Sequence, residues 1–216
     1  MGYSKNTWFY LNKYFKKSNL LLGENLPSFG IKRNQEPYYN KEILELGCQT
    51  FRGSIRKEMN SHSVRHSAKK YFNSIGIICL TVDIKECLES LKIDITKPID
   101  SFFHNKFDIV INSGTTEHIS SKEGQYQTFK NIHSCCKVEG IMLHFVPDFI
   151  RERKKHGYFN YSDIFFKNLS ELNNYKIIDI ERYDRKEGDF YWGTCFKKIE
   201  NNKFTTEKEK FYKYLK

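Results

Sequence analysis

Side chains able to do chemistry gather at the carboxyl ends of short apolar runs in this sequence. Glu45 and Gly47 close EILELG, with Cys48 and Gln49 next; Asp83 closes IGIICLTVDI; Asp94 lies in LKIDI; Asn112, Ser113 and Gly114 end FDIVINSG, and Glu117 and His118 follow one turn later. A glycine directly after a strand lets the backbone pass close to a ligand in a conformation other residues resist. A carboxylate at a neighbouring strand end can accept charge-assisted hydrogen bonds from paired hydroxyls. His118 titrates near neutrality and is a candidate general base, or a histidine that fixes its loop. Glu45 stands inside an apolar strand, where a carboxylate is costly unless it has a partner.

Other chemistries fit less well. His62 and His66 are four apart, but no Glu follows His62, so the zinc-protease arrangement fails. His133 and Cys136 could join a metal site only with ligands from elsewhere, and no metal is expected. There is no serine elbow and no Walker motif. One glycine in the turn after the first strand, with Gln49 and Phe51 where further glycines would stand, argues against the pyrophosphate cradle of an NAD or FAD site. The six cysteines show no C-x-x-C pair and no regular spacing, so free thiols are the expectation.

These groups must be positioned by a core, and 216 residues with 39% hydrophobic and 16% aromatic content suffice for one. No apolar run approaches the roughly 18–20 residues of a membrane span, and the N-terminus lacks the pattern of a secretory signal or a myristoylation site. A soluble cytoplasmic protein is expected. The net charge of +10 is concentrated: +4 in residues 1–40, +3 in RERKKHG (151–157) and +3 in residues 201–216, leaving the body near neutral. Such patches can steer an anionic substrate or nucleic acid, or form solvated, partly flexible ends and one surface loop.

Short continuous apolar runs alternate with helix-period stretches, the pattern of α/β layering on a mostly parallel sheet. Residues 3–20 read as an aromatic-rich helix, followed by a loop with Pro27, Gly30 and Pro37. Then come strand EILELG, a helix from Arg52 to Ser74, strand IGIICLTVDI, a short helix at 85–91, strands LKIDI and FDIVINS, a helix at 121–138 and strand GIMLHFV. After the basic patch follow a helix at 162–174 and two strands, 175–184 and 189–199, able to pair as an antiparallel hairpin at one edge.

In this order of elements, residues 40–198 resemble the class I S-adenosylmethionine-dependent methyltransferases. LELGCQT resembles that family's first motif, TVDI the acidic end of strand two, KIDI the adenine-contacting segment, FDIVINSGTTEHI strand four with its extension, and HSCCKVEGIMLHFVP the helix, turn and strand five. The resemblance implies an α/β fold: a doubly wound, seven-stranded, mostly parallel sheet with a C-terminal antiparallel β-hairpin and an N-terminal helical extension. It divides the chain into an N-terminal helical cap (1–40), a methyltransferase-like domain (41–199) and a basic tail (200–216).

It also implies S-adenosyl-L-methionine as cofactor, contacted by Glu45, Gly47, Cys48, Gln49, Asp83, Asp94, Asn112, Ser113 and Gly114, with Glu117 and His118 as catalytic candidates. Asp83 would take the ribose hydroxyls. Asp94 would meet the adenine amino group or cap the turn before Pro98, and Glu45 would face the cofactor's ammonium or hold the glycine turn. Ser113, Gly114 and Thr115 would leave room for the sulfonium, and His144, His156 and Tyr158 are further cleft candidates. Gly47 and Asp83 are farther apart than the usual twenty or so residues, which a long first helix would explain. An Asp/Asn-Pro-Pro-aromatic signature is missing after strand four, so a small-molecule or glycan-like acceptor is favoured over a nucleic-acid base. The other reading is a catalytically silent module on this fold that binds nucleic acid or a protein through its basic ends. No feature of the sequence fixes an oligomeric state.

Overall fold

The computed structural model describes residues 2–18, 41–51, 67–87, 90–149, 157–186 and 188–215. The strands are β1 (Gly2–Tyr3), β2 (Glu42–Leu46), β3 (Thr50–Phe51), β4 (Ile78–Asp83), β5 (Leu91–Lys92), β6 (Phe107–Ser113), β7 (Cys136–Pro147), β8 (Tyr175–Lys186) and β9 (Asp189–Lys198). Between them lie the helices α1 (Lys5–Lys17), α2 (Ala68–Ser74), α3 (Lys122–Cys135), α4 (Asp163–Asn173) and α5 (Lys208–Tyr212).

The largely apolar, almost continuously buried runs of β2, β6 and the second half of β7 belong to strands covered on both faces. They form the middle of a seven-stranded sheet of order β5-β4-β2-β6-β7-β9-β8. The first five strands in that order are parallel to one another, whereas β9 runs antiparallel to both β7 and β8. This is the doubly wound sheet with its C-terminal hairpin. The strand order reverses between β2 and β6, which opens a crevice beyond their carboxyl ends.

Each face of the sheet carries its own core. Helix α1 starts at Ser4, whose side chain accepts from the Thr7 amide, and ends with Lys16 and Lys17 against the negative end of its dipole. Its buried Thr7, Leu11, Tyr14 and Phe15 repeat at helical spacing, and Tyr14 stacks on Phe145 at 5.8 Å. With Trp8, Phe51 and Tyr71 they fill one face. Helices α3 and α4 start at Ser121 and Ser162, whose hydroxyls accept from Gly124 and Phe165 amides, and they cover the other face with Phe129, Phe165 and Phe166. Burying each such aromatic contributes ~1.5–3 kcal/mol.

Four expectations are corrected. The third strand shrinks to Leu91–Lys92, because the Asp94 carboxylate accepts from the Thr96 amide at 3.0 Å and hydroxyl at 2.6 Å and turns the chain. The described residues of the expected 85–91 helix are not helical: Asp83 Oδ1 holds the Lys85 amide, and Ser90 bonds back to Cys87. Free thiols describe only Cys79, Cys135, Cys136 and Cys195, all buried, since Cys48 and Cys87 are joined by a disulfide.

Lastly, residues 201–215 are not a solvated end. Phe204, Phe211 and Leu215 are buried, with Phe211 edge-on to Tyr126, Phe129 and Phe165. The proline-containing loop, residues 52–66 with His62 and His66, and the basic patch up to His156 lie outside the described residues. No helix among the described residues is long and apolar enough to cross a membrane.

Candidate functional site

Beyond the carboxyl ends of β2, β4 and β6 lies a cleft of ≈ 730 Å³, whose walls include Gly47, Asp83, Asp94, Thr115 and His118. Parallel pairing brings them together: neighbours in register deliver their last residues to one edge of the sheet. Gly47 donates its amide to the Val82 carbonyl at 2.8 Å, and the Cys48 amide is held by Asp83 Oδ2 at 2.9 Å. The first bend and the acidic tip of the adjacent strand are thus side by side. At Gly47, φ is +76°, and an added Cβ would stand 2.6 Å from Thr115 Oγ1, which itself donates to the Leu46 carbonyl. Both conformation and space require glycine there.

Asp94 also faces the cleft, while its Asx turn with the Thr96 hydroxyl holds its carboxyl below the usual range. Apart from the cation Lys85, the rest of the wall is apolar and hydroxylic, with isoleucines at 84, 93, 95 and 119 and hydroxyls at Thr96, Ser120 and Ser121. These were not singled out in the sequence. Their only signal is position, immediately after strands or a helix start.

Glu45 lies outside the cleft wall. It is buried and accepts from the Tyr3 hydroxyl at 2.9 Å and the Thr81 hydroxyl at 3.0 Å. Burial pushes its carboxyl up to about 8, against the lowering effect of these donors and of the Gln49 amide. It therefore ties β1, β4 and the glycine turn together. Gln49 is buried beside it, donating Nε2 to the Ser113 carbonyl at 2.7 Å, and its Oε1 has no partner among the described residues. Gln49 also lines a second hollow, of only ≈ 10 Å³, with Ser113, Gly114, Phe145, Arg185 and Tyr191. Arg185 and Tyr191 come from the hairpin, at positions that gave no sequence signal of a site.

Asn112 is fully buried and works on the turn after β6. Its Nδ2 donates to Thr116 Oγ1 at 2.9 Å and to His144 Nδ1 at 3.2 Å, and its Oδ1 accepts from the Thr116 amide. The same turn is latched from α3, where Gln125 donates to the Ile119 carbonyl and receives the Tyr161 hydroxyl. His144, expected to face the cleft, is instead buried and stacked on Phe129 at 5.2 Å, and burial lowers its pKa to about 3. His133 is occupied by the Tyr175 hydroxyl and the Asn202 carbonyl, each at 2.8 Å. Tyr158 is exposed, and His156 is outside the described residues.

The turn carries Glu117 inward and His118 outward. Glu117 is fully buried, and its carboxylate oxygens have no hydrogen-bond partner among the described residues. Burial pushes its pKa up to about 8. Its Oε1 lies 4.0 Å from His118 Nε2, so a buried acid backs an imidazole on the cleft wall.

The Cys48 and Cys87 sulfurs and an Asp83 oxygen lie within 4.8 Å of one another, a donor set of zinc-like chemistry. A metal needs thiolates, and the disulfide leaves none.

No family profile and no curated protein sequence matches the chain. Solved structures do, and the fold is that of the class I S-adenosylmethionine-dependent methyltransferases. The N-methyltransferase NodS from Bradyrhizobium japonicum is 10% identical, with 91% of this chain covering 99% of that one at a TM-score of 0.55. Burkholderia thailandensis 1,6-didemethyltoxoflavin-N1-methyltransferase, solved with S-adenosylhomocysteine, is 14% identical over 75% of this chain and 72% of that one, TM-score 0.53. A Rhodobacter sphaeroides chain described provisionally as a Zn-dependent alcohol dehydrogenase also matches, 9% identical over 74% and 84%, TM-score 0.50. Identities this low establish the shared fold alone.

Proposed function

We propose that the protein is an S-adenosyl-L-methionine-dependent methyltransferase acting on a small-molecule or glycan-like acceptor. The observation that carries this reading is the cleft holding Gly47 and Asp83 on adjoining walls at the switch point of the sheet. The residues present suit the cofactor. Asp83 spends one lone pair of each oxygen on the Cys48 and Lys85 amides and keeps others to accept ribose hydroxyls. Asp94 and the isoleucines at 93 and 95 suit a purine edge and face. The second hollow, of ≈ 10 Å³, has room for about one water and not for the amino-acid tail.

When bound, the cofactor supplies an electrophilic methyl on sulfonium. This chain's part is alignment, which can account for much of the rate. His118 is placed to take the acceptor's proton, with Glu117, which burial keeps protonated near neutral pH, 4.0 Å behind its Nε2. Because no phosphate has to be cradled, the absence of further glycines at positions 49 and 51 is tolerable.

Titration calorimetry with S-adenosylhomocysteine tests the reading. Binding is expected, and Asp83→Ala should weaken it about 10- to 100-fold, as losing a charge-assisted pair of hydrogen bonds implies. Absence of binding, with salt-sensitive affinity for RNA retained, would instead support the silent nucleic-acid-binding module.

A further inference from the structure

We infer that Cys48 and Cys87 are a site of reversible thiol oxidation that sets how firmly the cleft holds its nucleoside, a conclusion that rests on the cofactor reading above. The two cysteines are 39 residues apart in sequence, and the disulfide links the residue after Gly47 to the segment after Asp83. Gly47, Asp83, Ile84 and Lys85 line the cleft between these anchors. The bond therefore fastens two walls of one pocket along a shared edge. A hydrogen bond runs parallel to it, from the Cys48 amide to Asp83 Oδ2, so the orientation of the candidate ribose acceptor is coupled to the state of the sulfurs.

Accessibility separates this pair from every other cysteine. Cys48 and Cys87 are part-exposed, whereas Cys79, Cys135, Cys136 and Cys195 are buried. Burial pushes Cys135 and Cys136 up to about 12 and raises Cys79 and Cys195 as well. Those four are protonated and shielded, and thiol exchange needs a reachable thiolate. Oxidant and reductant can thus address the cleft rim without touching the core.

The exchange is balanced with a low-molecular-weight disulfide such as glutathione disulfide. The thiolate of one cysteine attacks it, releasing one glutathione thiolate and forming a mixed disulfide. The second cysteine then displaces the other glutathione. One protein S–S bond forms, one glutathione S–S bond breaks, and the two protein protons end on two glutathione thiols. Oxidation fixes the walls in the open, preformed arrangement. Reduction releases the segment after β4, which must then be ordered again when ligand binds, at a cost in affinity.

The test uses the full chain equilibrated in glutathione buffers, with thiols counted by mass spectrometry, S-adenosylhomocysteine affinity measured by calorimetry, and amide exchange followed at Cys48 and Lys85. The expected result is that two of six thiols cycle, that the oxidised form binds at least about fivefold tighter, and that Cys87→Ser binds like the reduced protein in either buffer. Equal affinity of oxidised and reduced protein would overturn the gate and leave the cofactor reading standing. If neither form binds, the cofactor reading falls, and the coupling is then decided by exchange: redox-dependent protection at Cys48 and Lys85 supports it, and identical protection overturns it. Failure of the pair to re-form without unfolding also overturns it.

Discussion

Glu45 at the end of β2 and Glu117 after β6 are both fully buried, and burial pushes both up to about 8. Their surroundings differ. Glu45 receives the hydroxyls of Tyr3 and Thr81, whereas the Glu117 carboxylate has no hydrogen-bond partner among the described residues and stands 4.0 Å behind a histidine of the cleft. Burial alone therefore does not distinguish a carboxyl tied into the fold from one left without donors. What distinguishes them is whether the neighbouring donors are already spent.

Volume-matched substitutions should separate the two most sharply. Glu45→Met leaves two buried hydroxyls without an acceptor and should cost about 3–6 kcal/mol in denaturant unfolding. Glu117→Met strands no donor among the described residues and should change stability by less than about 1 kcal/mol. Equal losses would abolish the distinction.

A pH series sharpens it further. Each carboxyl keeps its proton in the fold up to about 8, while the unfolded chain releases it near 4.5. Between these values the native state holds more protons, so rising pH weakens folding, by about 1.4 kcal/mol per unit for each group. The contribution is fully present below about 4.5 and fully lost above about 8. Thermal melts of wild type should fall from pH 5 to 8, and Glu117→Gln should remove one group's share of that slope. An unchanged slope would show that Glu117 does not carry the proton. The smallest effect is expected from Tyr3→Phe, which leaves Glu45 the Thr81 hydroxyl and should cost about 1–2 kcal/mol by calorimetric melting.

The sheet was legible because its strands are bounded by turn residues and its period switches between strand and helix. The strand-end rule likewise led to Gly47, Asp83, Asp94 and His118, which all reach the cleft. The Cys48–Cys87 bond was not legible, since cysteines 39 residues apart carry no spacing rule and only the β2–β4 pairing brings them together. Nor was the Tyr3–Glu45 contact, which depends on β1 pairing with β3. Charge misled the reading of residues 201–215: their lysines concealed Phe204, Phe211 and Leu215, which are buried among them.

The position of β9 governs how the chain must assemble. It is made after β8 yet lies between β7 and β8, and among the described residues it is the antiparallel partner of both. On a translating ribosome β7 and β8 would therefore emerge with open edges and wait for a late insertion, the interval in which a chaperone would find most to hold.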